Sequence, residues 1–346
     1  MSTIEQLTVR GSHLQVGLAI GERCSAQIHW ALDGYTFLQE QVLPYHRTLE
    51  GQARYRDLLQ LNREHYAGYF SELEGLAEGA GRPFEELFLV NMRGEYAGYL
   101  RSLVRGCADC AVLTDEVALF GHNEDASPAF RGNLYIVHAQ IVGKPAFTAL
   151  SYPGFLCGNA FGFNAEGICF SVDDVQPRPT RLGVGRHFVA RSLLESRSLD
   201  DAVQRVTVPG RASGFSYTIG SIPERRIVHV EVAPEAYHLR EIRNPYFHAN
   251  HYRELDSVDQ VVHASSRTRV ERADALLQGA ASLDTGDILS ILGDRADEQY
   301  PIYRTATSPD RLMTLCTALF DLDARRLRIY TDRPTQNADA VIEFAL

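Results

Sequence analysis

The chain has 346 residues, of which 45% are hydrophobic and 23% charged, the balance of a folded globular protein rather than a disordered one. A formal charge of −10 excludes nucleic acid and anionic membrane surfaces as partners, since both need a basic face. No stretch approaches the ~20 apolar residues of a membrane span, and the opening MSTIEQLTVRG lacks the apolar core of a signal peptide, so a soluble cytoplasmic protein is expected.

The first hundred residues read as helical. From Tyr55 to Leu76 apolar residues recur at helical spacing (Leu58, Leu61, Tyr66, Tyr69, Leu73, Leu76), and the run stops at Gly79 and Gly81. Pro83 then opens a second helix at its first position, with Glu85 and Glu86 near the positive end of the dipole. That helix carries Phe84, Leu87, Phe88 and Val90 and ends near Asn91-Met92-Arg93-Gly94-Glu95.

At Gly106 the pattern changes to strand, turn, strand: Ala111–Leu113, then Thr114-Asp115-Glu116, then Val117–Phe120. Further strands are expected at Leu134–Val142 and Gly167–Val172, and a helix over Arg186–Glu195. Another helix starts at Ser198 with Asp201 as capping-box partner. A hairpin spans Phe215–Ile222 and Ile227–Val232, helices cover Arg267–Leu277 and Asp287–Leu292, and a last strand pair is Met313–Leu322 with Leu327–Thr331. Helices first, then strands with inserted helices, make an α+β protein with antiparallel sheets rather than a doubly wound parallel one. No linker divides the chain, so residues 1–346 are expected to form one domain.

The first hairpin carries a geometric argument. A turn centred on Asp115 and Glu116 pairs residues whose numbers sum to about 231, which sets Cys107 opposite Glu124, or opposite Asp125 if the loop is one residue longer, and beside Gly121-His122-Asn123-Glu124-Asp125. A thiol beside a carboxylate and an imidazole suits nucleophilic catalysis; the same residues also suit the polar end of an ordinary strand. Cys107-Ala108-Asp109-Cys110 admits two other readings, a redox pair or half a zinc site. The first normally opens a helix, whereas strand residues follow here; the second lacks a second closely spaced ligand pair. The remaining cysteines (Cys24, Cys157, Cys169, Cys316) are expected to be reduced and buried.

Taken in order, Asn91–Glu95, Gly106-Cys107, Gly121–Ala126, Gly162–Ile168, Arg186–Ala202, His248–Tyr252 and Leu319–Leu327 resemble the isopenicillin N acyltransferase family of N-terminal-nucleophile hydrolases. Gly-His-Asn-Glu-Asp-Ala at 121–126 is similar to the carcinine and β-alanyl-dopamine hydrolase branch. The resemblance implies a four-layer αββα sandwich of two antiparallel sheets. It also implies a precursor cut between Gly106 and Cys107 into a mainly helical chain, 1–106, and a second chain, 107–346. It carries over Cys107 as nucleophile, Asp125 as a site carboxylate and Asn250 as an oxyanion donor. One position departs: asparagine is expected after Val172, and Asp173 stands there, a carboxylate that donates no hydrogen bond unless protonated.

The chemistry implied is self-cleavage, then a thioester acyl-enzyme released by water, or by an amine in an acyl-CoA-dependent N-acyltransferase. The free α-amine of Cys107, with a pKa near 8, serves as base. A non-catalytic or redox protein built on Cys107 and Cys110 is the alternative from another class. Supporting positions are His122, Asn123, Glu124, Asp173 and His251, with Arg93 and Glu95 as an ion pair next to the cut. Arg304 is a carboxylate or CoA-phosphate anchor that no spacing singles out, and Tyr152, Phe155, Phe161 and Phe163 line a pocket or fill the core. The acids Glu124, Asp125 and Asp173 favour a cationic substrate such as a β-alanyl amine, unless the protein pairs them internally. No metal-ligand spacing or phosphate-binding glycine loop appears, and neither metal nor cofactor is expected. The partners in view are a small-molecule amide, the association of the two cleaved chains with each other, and a homo-oligomer.

Overall fold

In a computed structural model, the described residues are 4–100, 106–307, 309–335 and 339–346. Residues 101–105, which lead into the expected cut, lie outside them. Two sheets stack face to face. The eight-stranded sheet comprises Glu5–Gly11, Tyr135–Ile141, Phe147–Ser151, Phe161–Asn164, Ile168–Asp174, Phe215–Ser221, Arg226–Val232 and Tyr237–Glu241, in that order. The six-stranded sheet runs Tyr246–His248, Ala108–Leu113, Ala118–Ala126, Met313–Asp321, Arg326–Tyr330, Ile342–Ala345. The N-terminal helices and the pair Arg186–Leu193 and Leu199–Val206 cover the first sheet; Ala264–Leu277 and Thr285–Leu292 cover the second. The result is a four-layer αββα sandwich. Among the described residues, no helix is long and apolar enough to cross a membrane.

The hairpin register is the expected one: Ala108 pairs with Asn123, Asp109 with His122 and Cys110 with Gly121. The antiparallel expectation has one exception, because Glu5–Gly11 lies parallel to Tyr135–Ile141. That strand sits in a stretch read as helical. Its alternating Leu7 and Val9 are the buried positions, a period too short to register against the helices that follow.

The Tyr55–Leu76 periodicity spans two helices, Leu49–His65 and Ala67–Ala80, broken at Tyr66. At the break the Tyr66 ring stacks on Tyr69 and lies flat against Phe188. Gly79 does not end the helix, whereas Gly81 does, as a left-handed C-cap. Gly79 belongs to a packing surface. A Cβ on Gly17 would lie 1.9 Å from the Glu72 carbonyl oxygen, and one on Gly75 only 2.2 Å from that of Leu14. His13–Arg23 and Ala67–Ala80 therefore meet backbone to backbone. Ser198 caps its helix through Asp201 N–H as expected, but Asp201 accepts from Arg197 N–H rather than closing the box on Ser198.

Polar side chains cross between the sheets. The Asp109 carboxylate accepts from Ser171 and Thr218 of the opposite sheet and from His122 of its own. Asp173 meets His248 at 2.7 Å, and His248 lies 3.4 Å from Glu231. Burial disfavours the His248 cation, but Asp173 and Glu231 outweigh it and push the imidazole up to about 9. Burial, with Asp109 nearby, raises the Asp173 carboxyl to about 7.

Two stability outcomes follow. Gly75→Val should lower stability by about 3 kcal/mol or more in denaturant melts, because the helix pair has no room to yield. His248 has a folded pKa above its unfolded one, so its contribution is complete below pH ~6.5 and is lost as pH rises through ~9. Denaturant midpoints should fall across that window by an amount of order 3 kcal/mol. His248→Asn should flatten that decline; an equal slope in the variant would assign it elsewhere.

Candidate active site

Strand alternation sorts the residues around Cys107. His122 and Glu124 point toward the opposite sheet; Asn123 and Asp125 point toward the helix-covered side. The Cys107 sulfur, a ring nitrogen of His122 and a carboxylate oxygen of Glu124 lie within 4.8 Å of one another. His122 is held between Asp109 at 2.7 Å and Glu124 at 3.0 Å. Glu124 also accepts from the Tyr152 hydroxyl at 2.5 Å. Burial disfavours the His122 cation, yet Cys107 and the hydrogen bonds to Asp109 and Glu124 prevail and raise the imidazole well above its ordinary value. Burial and Glu124 push the Cys107 thiol well up, so in the uncut chain it stays protonated.

Cys107 sits at φ 86°, a region L-residues avoid at a cost of order 1–3 kcal/mol. The preceding carbonyl, that of Gly106, accepts a hydrogen bond from Asn250 Nδ2. Arg269 fixes which way that amide points: one guanidinium nitrogen donates to Asn250 Oδ1 at 2.6 Å and another to the Cys107 carbonyl at 2.8 Å. A guanidinium only donates, so the amide oxygen must face Arg269 and the amide nitrogen Gly106. Gly106 itself has no room for a side chain, as a Cβ there would lie 1.8 Å from the Asp125 carbonyl oxygen.

Asp125 accepts from Thr314 at 2.7 Å and stands 3.7 Å from Arg269 and 3.5 Å from Arg304. Its charge balances the two arginines behind Asn250. Burial and Arg304 depress the Arg269 guanidinium to about 10, Asp125 working against the fall, and it remains a cation at neutral pH. Arg304, which no sequence spacing distinguished, also pairs with Asp310.

Several expected positions lie elsewhere. Asn123 is turned away, donating to the Leu292 and Ile302 carbonyls and accepting from Thr317. His251 is tied to Ser266, which also receives the Asn250 N–H. Arg93 and Glu95 do not pair. Two residues apart on the helix Arg93–Tyr99, they face different ways; Arg93 meets His187, and Glu95 accepts from Arg186 N–H. Cys110 packs with Val112, Leu119 and Leu292 under the outer helices, whereas Cys107 faces His122, which separates the Cys-x-x-Cys pair. Asp173 bonds His248, a residue that received no role from the sequence. Asp109 received none either, although its strand position opposite His122 was implicit in the register.

Among the described residues the fold gathers three donor sets absent from the linear spacing: Cys107/His122/Glu124, Asp109/His122/Asp173 and His229/Glu231/His248. Each includes His122 or His229. Both nitrogens of His122 bond to members of these sets, Asp109 and Glu124, and those of His229 meet Ser216 and Thr218.

Cys107 opens onto a cavity of about 350 Å³. Tyr35, Phe37, Phe130, Tyr152, Phe155 and Phe215 give it an aromatic wall; Arg93, Arg186, Arg304, Glu124, Asp125 and Asp174 give it polar points. Of the expected aromatic cluster, Tyr152 and Phe155 line this space. Phe161 instead packs against Phe320 and His122 between the sheets, and Phe163 against Phe344.

The chain is similar to several characterised proteins. Beta-alanyl-dopamine/carcinine hydrolase of Drosophila melanogaster is 28% identical over 363 residues, covering 95% of this chain and 93% of that protein. The 40 kDa form of acyl-coenzyme A:6-aminopenicillanic-acid-acyltransferase of Emericella nidulans is 27% identical over 218 residues, 61% of this chain and 58% of that one. Among solved structures, a mutant of conjugated bile acid hydrolase from Clostridium perfringens overlays with a TM-score of 0.47 at 12% identity, over 70% of this chain and 92% of that one. The family model for acyl-coenzyme A:6-aminopenicillanic acid acyl-transferase matches residues 112–336, more than half of the sequence, and the chain belongs to that family.

Proposed function

We propose that the protein is a self-processing cysteine amidohydrolase that cleaves a small amide through a thioester on Cys107. The observation that carries this reading is the grip of Asn250 on the carbonyl of Gly106, next to a thiol-bearing residue held at a disfavoured φ. In maturation the Cys107 sulfur attacks the Gly106 carbonyl carbon, and Asn250 Nδ2 receives the oxyanion. The C–N bond breaks, the thiol proton passes to the departing nitrogen, and a thioester joins Gly106 to Cys107. Water then cleaves the thioester and leaves a carboxylate on Gly106, a thiol and a free α-amine on Cys107. Relief of the strained φ favours the cut.

The same groups serve turnover. The α-amine takes the thiol proton, the sulfur attacks the substrate amide, and the oxyanion falls where the Gly106 oxygen had been. A donor preset there contributes of order 3–4 kcal/mol. His122, held by Asp109 and Glu124, lowers the cost of the thiolate beside it. The amine leaves with its proton, and water releases the acid.

A short acyl group such as β-alanyl, joined to an amine with an aromatic side, suits the aromatic wall of the cavity; the name of the Drosophila relative specifies such amides. The acids of the site do not argue for a cationic substrate. Glu124 is held by His122 and Tyr152, Asp125 by Thr314 and two arginines, and Asp173 by His248. The Emericella relative supports transfer to an amine in place of water. Against a CoA donor, two of the cavity's arginines among the described residues, Arg186 and Arg304, are already paired with Asp174 and Asp310 and so are not free to hold its phosphates. Six unpaired, buried cysteines support a reducing, cytoplasmic setting.

Mass spectrometry of purified protein should find chains 1–106 and 107–346 held together. The parallel strand Glu5–Gly11 and the buried Glu72–Arg191 pair, with bonds of 3.0 and 2.8 Å, both join elements across the cut. Cys107→Ala should abolish cutting and turnover, and Cys110→Ala neither; a fully active chain that never matures would defeat the proposal. Asn250→Ala should lower turnover roughly a hundredfold or more with the fold intact. Asp125→Asn, which leaves Arg269 and Arg304 unbalanced, should slow maturation, turnover or both in the same assays.

A further inference from the structure

The cavity beside Cys107 contains four arginines, Arg93, Arg186, Arg304 and Arg311. Arg186 pairs with Asp174 at 2.5 Å, and Arg304 with Asp310 at 2.5 Å and Asp125 at 3.5 Å. Arg311 is solvent-exposed. Arg93 differs from all three. It is partly buried, and no carboxylate among the described residues lies within ion-pairing distance of it. Its guanidinium lies over the Phe155 ring at 4.1 Å, with one nitrogen 2.7 Å from His187 Nε2. The Tyr35 hydroxyl is a further neutral neighbour. Burial, reinforced by Arg93 and Arg186, keeps His187 neutral, so it accepts a hydrogen bond without supplying charge. Burial also works against the Arg93 cation, and Arg186 adds to the cost. A half-buried guanidinium held by an aromatic face and neutral partners, at the edge of a substrate cavity, is arranged to receive an anion.

Building on the amidohydrolase reading above, we infer that Arg93 receives a carboxylate of the substrate, so that the preferred amides carry a carboxylate as well as the bond that is cut. N-acyl aromatic amino acids place it on the amine half, and dicarboxylic monoamides place it on the acyl half. The cavity otherwise offers aromatic surface for the remainder. Arg93 acts here as a specificity residue and takes no part in the bond chemistry at Cys107.

Matched amides that differ only in the carboxylate test this on the mature enzyme. β-Alanyl-tyrosine against β-alanyl-tyramine and β-alanyl-histidine against β-alanyl-histamine probe the amine half. Succinyl-tyramine against butyryl-tyramine probes the acyl half. In at least one of the two halves, kcat/KM should favour the carboxylate member roughly tenfold or more. Arg93→Gln should bring that ratio to about one, and Arg93→Lys should keep part of it. The ratio is taken within one preparation, so partial misfolding of a variant leaves it unchanged. Equal rates within every pair, preference for the uncharged members, or a ratio that survives Arg93→Gln would overturn the inference while leaving the amidohydrolase reading in place. Failure to cleave any member, by a chain that has exposed Cys107, would remove both.

Discussion

The carboxylate of Asp109 is the point on which both sheets and the site depend. It accepts from Ser171 and Thr218 across the interface and from His122 within its own sheet. Hydroxyl and imidazole donors together hold it below the ordinary carboxylate range in spite of its burial. A buried carboxylate held by donors from two sheets locks their relative position, because a slip of either would leave a charge unpaired. The same bond, with Cys107 and Glu124, raises the His122 imidazole beside the thiol. Sheet stacking and thiol environment are thus one interaction seen from two sides.

Arg269 performs a comparable double task on the other face. By donating to Asn250 and to the Cys107 carbonyl, it orients the amide that holds the Gly106 oxygen and fixes the residue that would attack it. Asp125 then matters as the counter-charge of Arg269 and Arg304, and the structure gives it no hydrogen bond to the thiol. In the proposed mechanism that position makes it a support for the donor rather than a handler of the proton.

The parts of this arrangement that are local in sequence were readable from it. A turn centred on Asp115 and Glu116 gives the register that pairs Ala108 with Asn123 and so brings Cys107 into the company of His122 and Glu124, and the order of motifs indicates the sandwich. Contacts made across the sheet interface were not readable. Asp109 has no role that is visible in the sequence; it gains one from Ser171 and Thr218, which the fold brings opposite it. His248 gained meaning only when Asp173 reached it, and Arg269 was one polar residue among many on an amphipathic helix. The Arg93–Glu95 pairing failed because proximity in sequence is not proximity around a helix. Gly79 misled for a related reason: a glycine that ends a helix and one that admits a neighbouring helix look alike in one dimension.

The steric fit of Gly106 bears on how freely the segment ahead of Cys107 can vary. The Asp125 carbonyl oxygen occupies the place where any side chain on residue 106 would begin. Glycine is therefore demanded by the neighbouring strand, independently of the chemistry of cutting. A foreign leader grafted onto residues 107–346 would seat its last carbonyl against Asn250 only if that leader also ended in glycine. The junction thus works as a gauge that admits one residue size, and the sheet, rather than the nucleophile, sets which leaders the chain accepts.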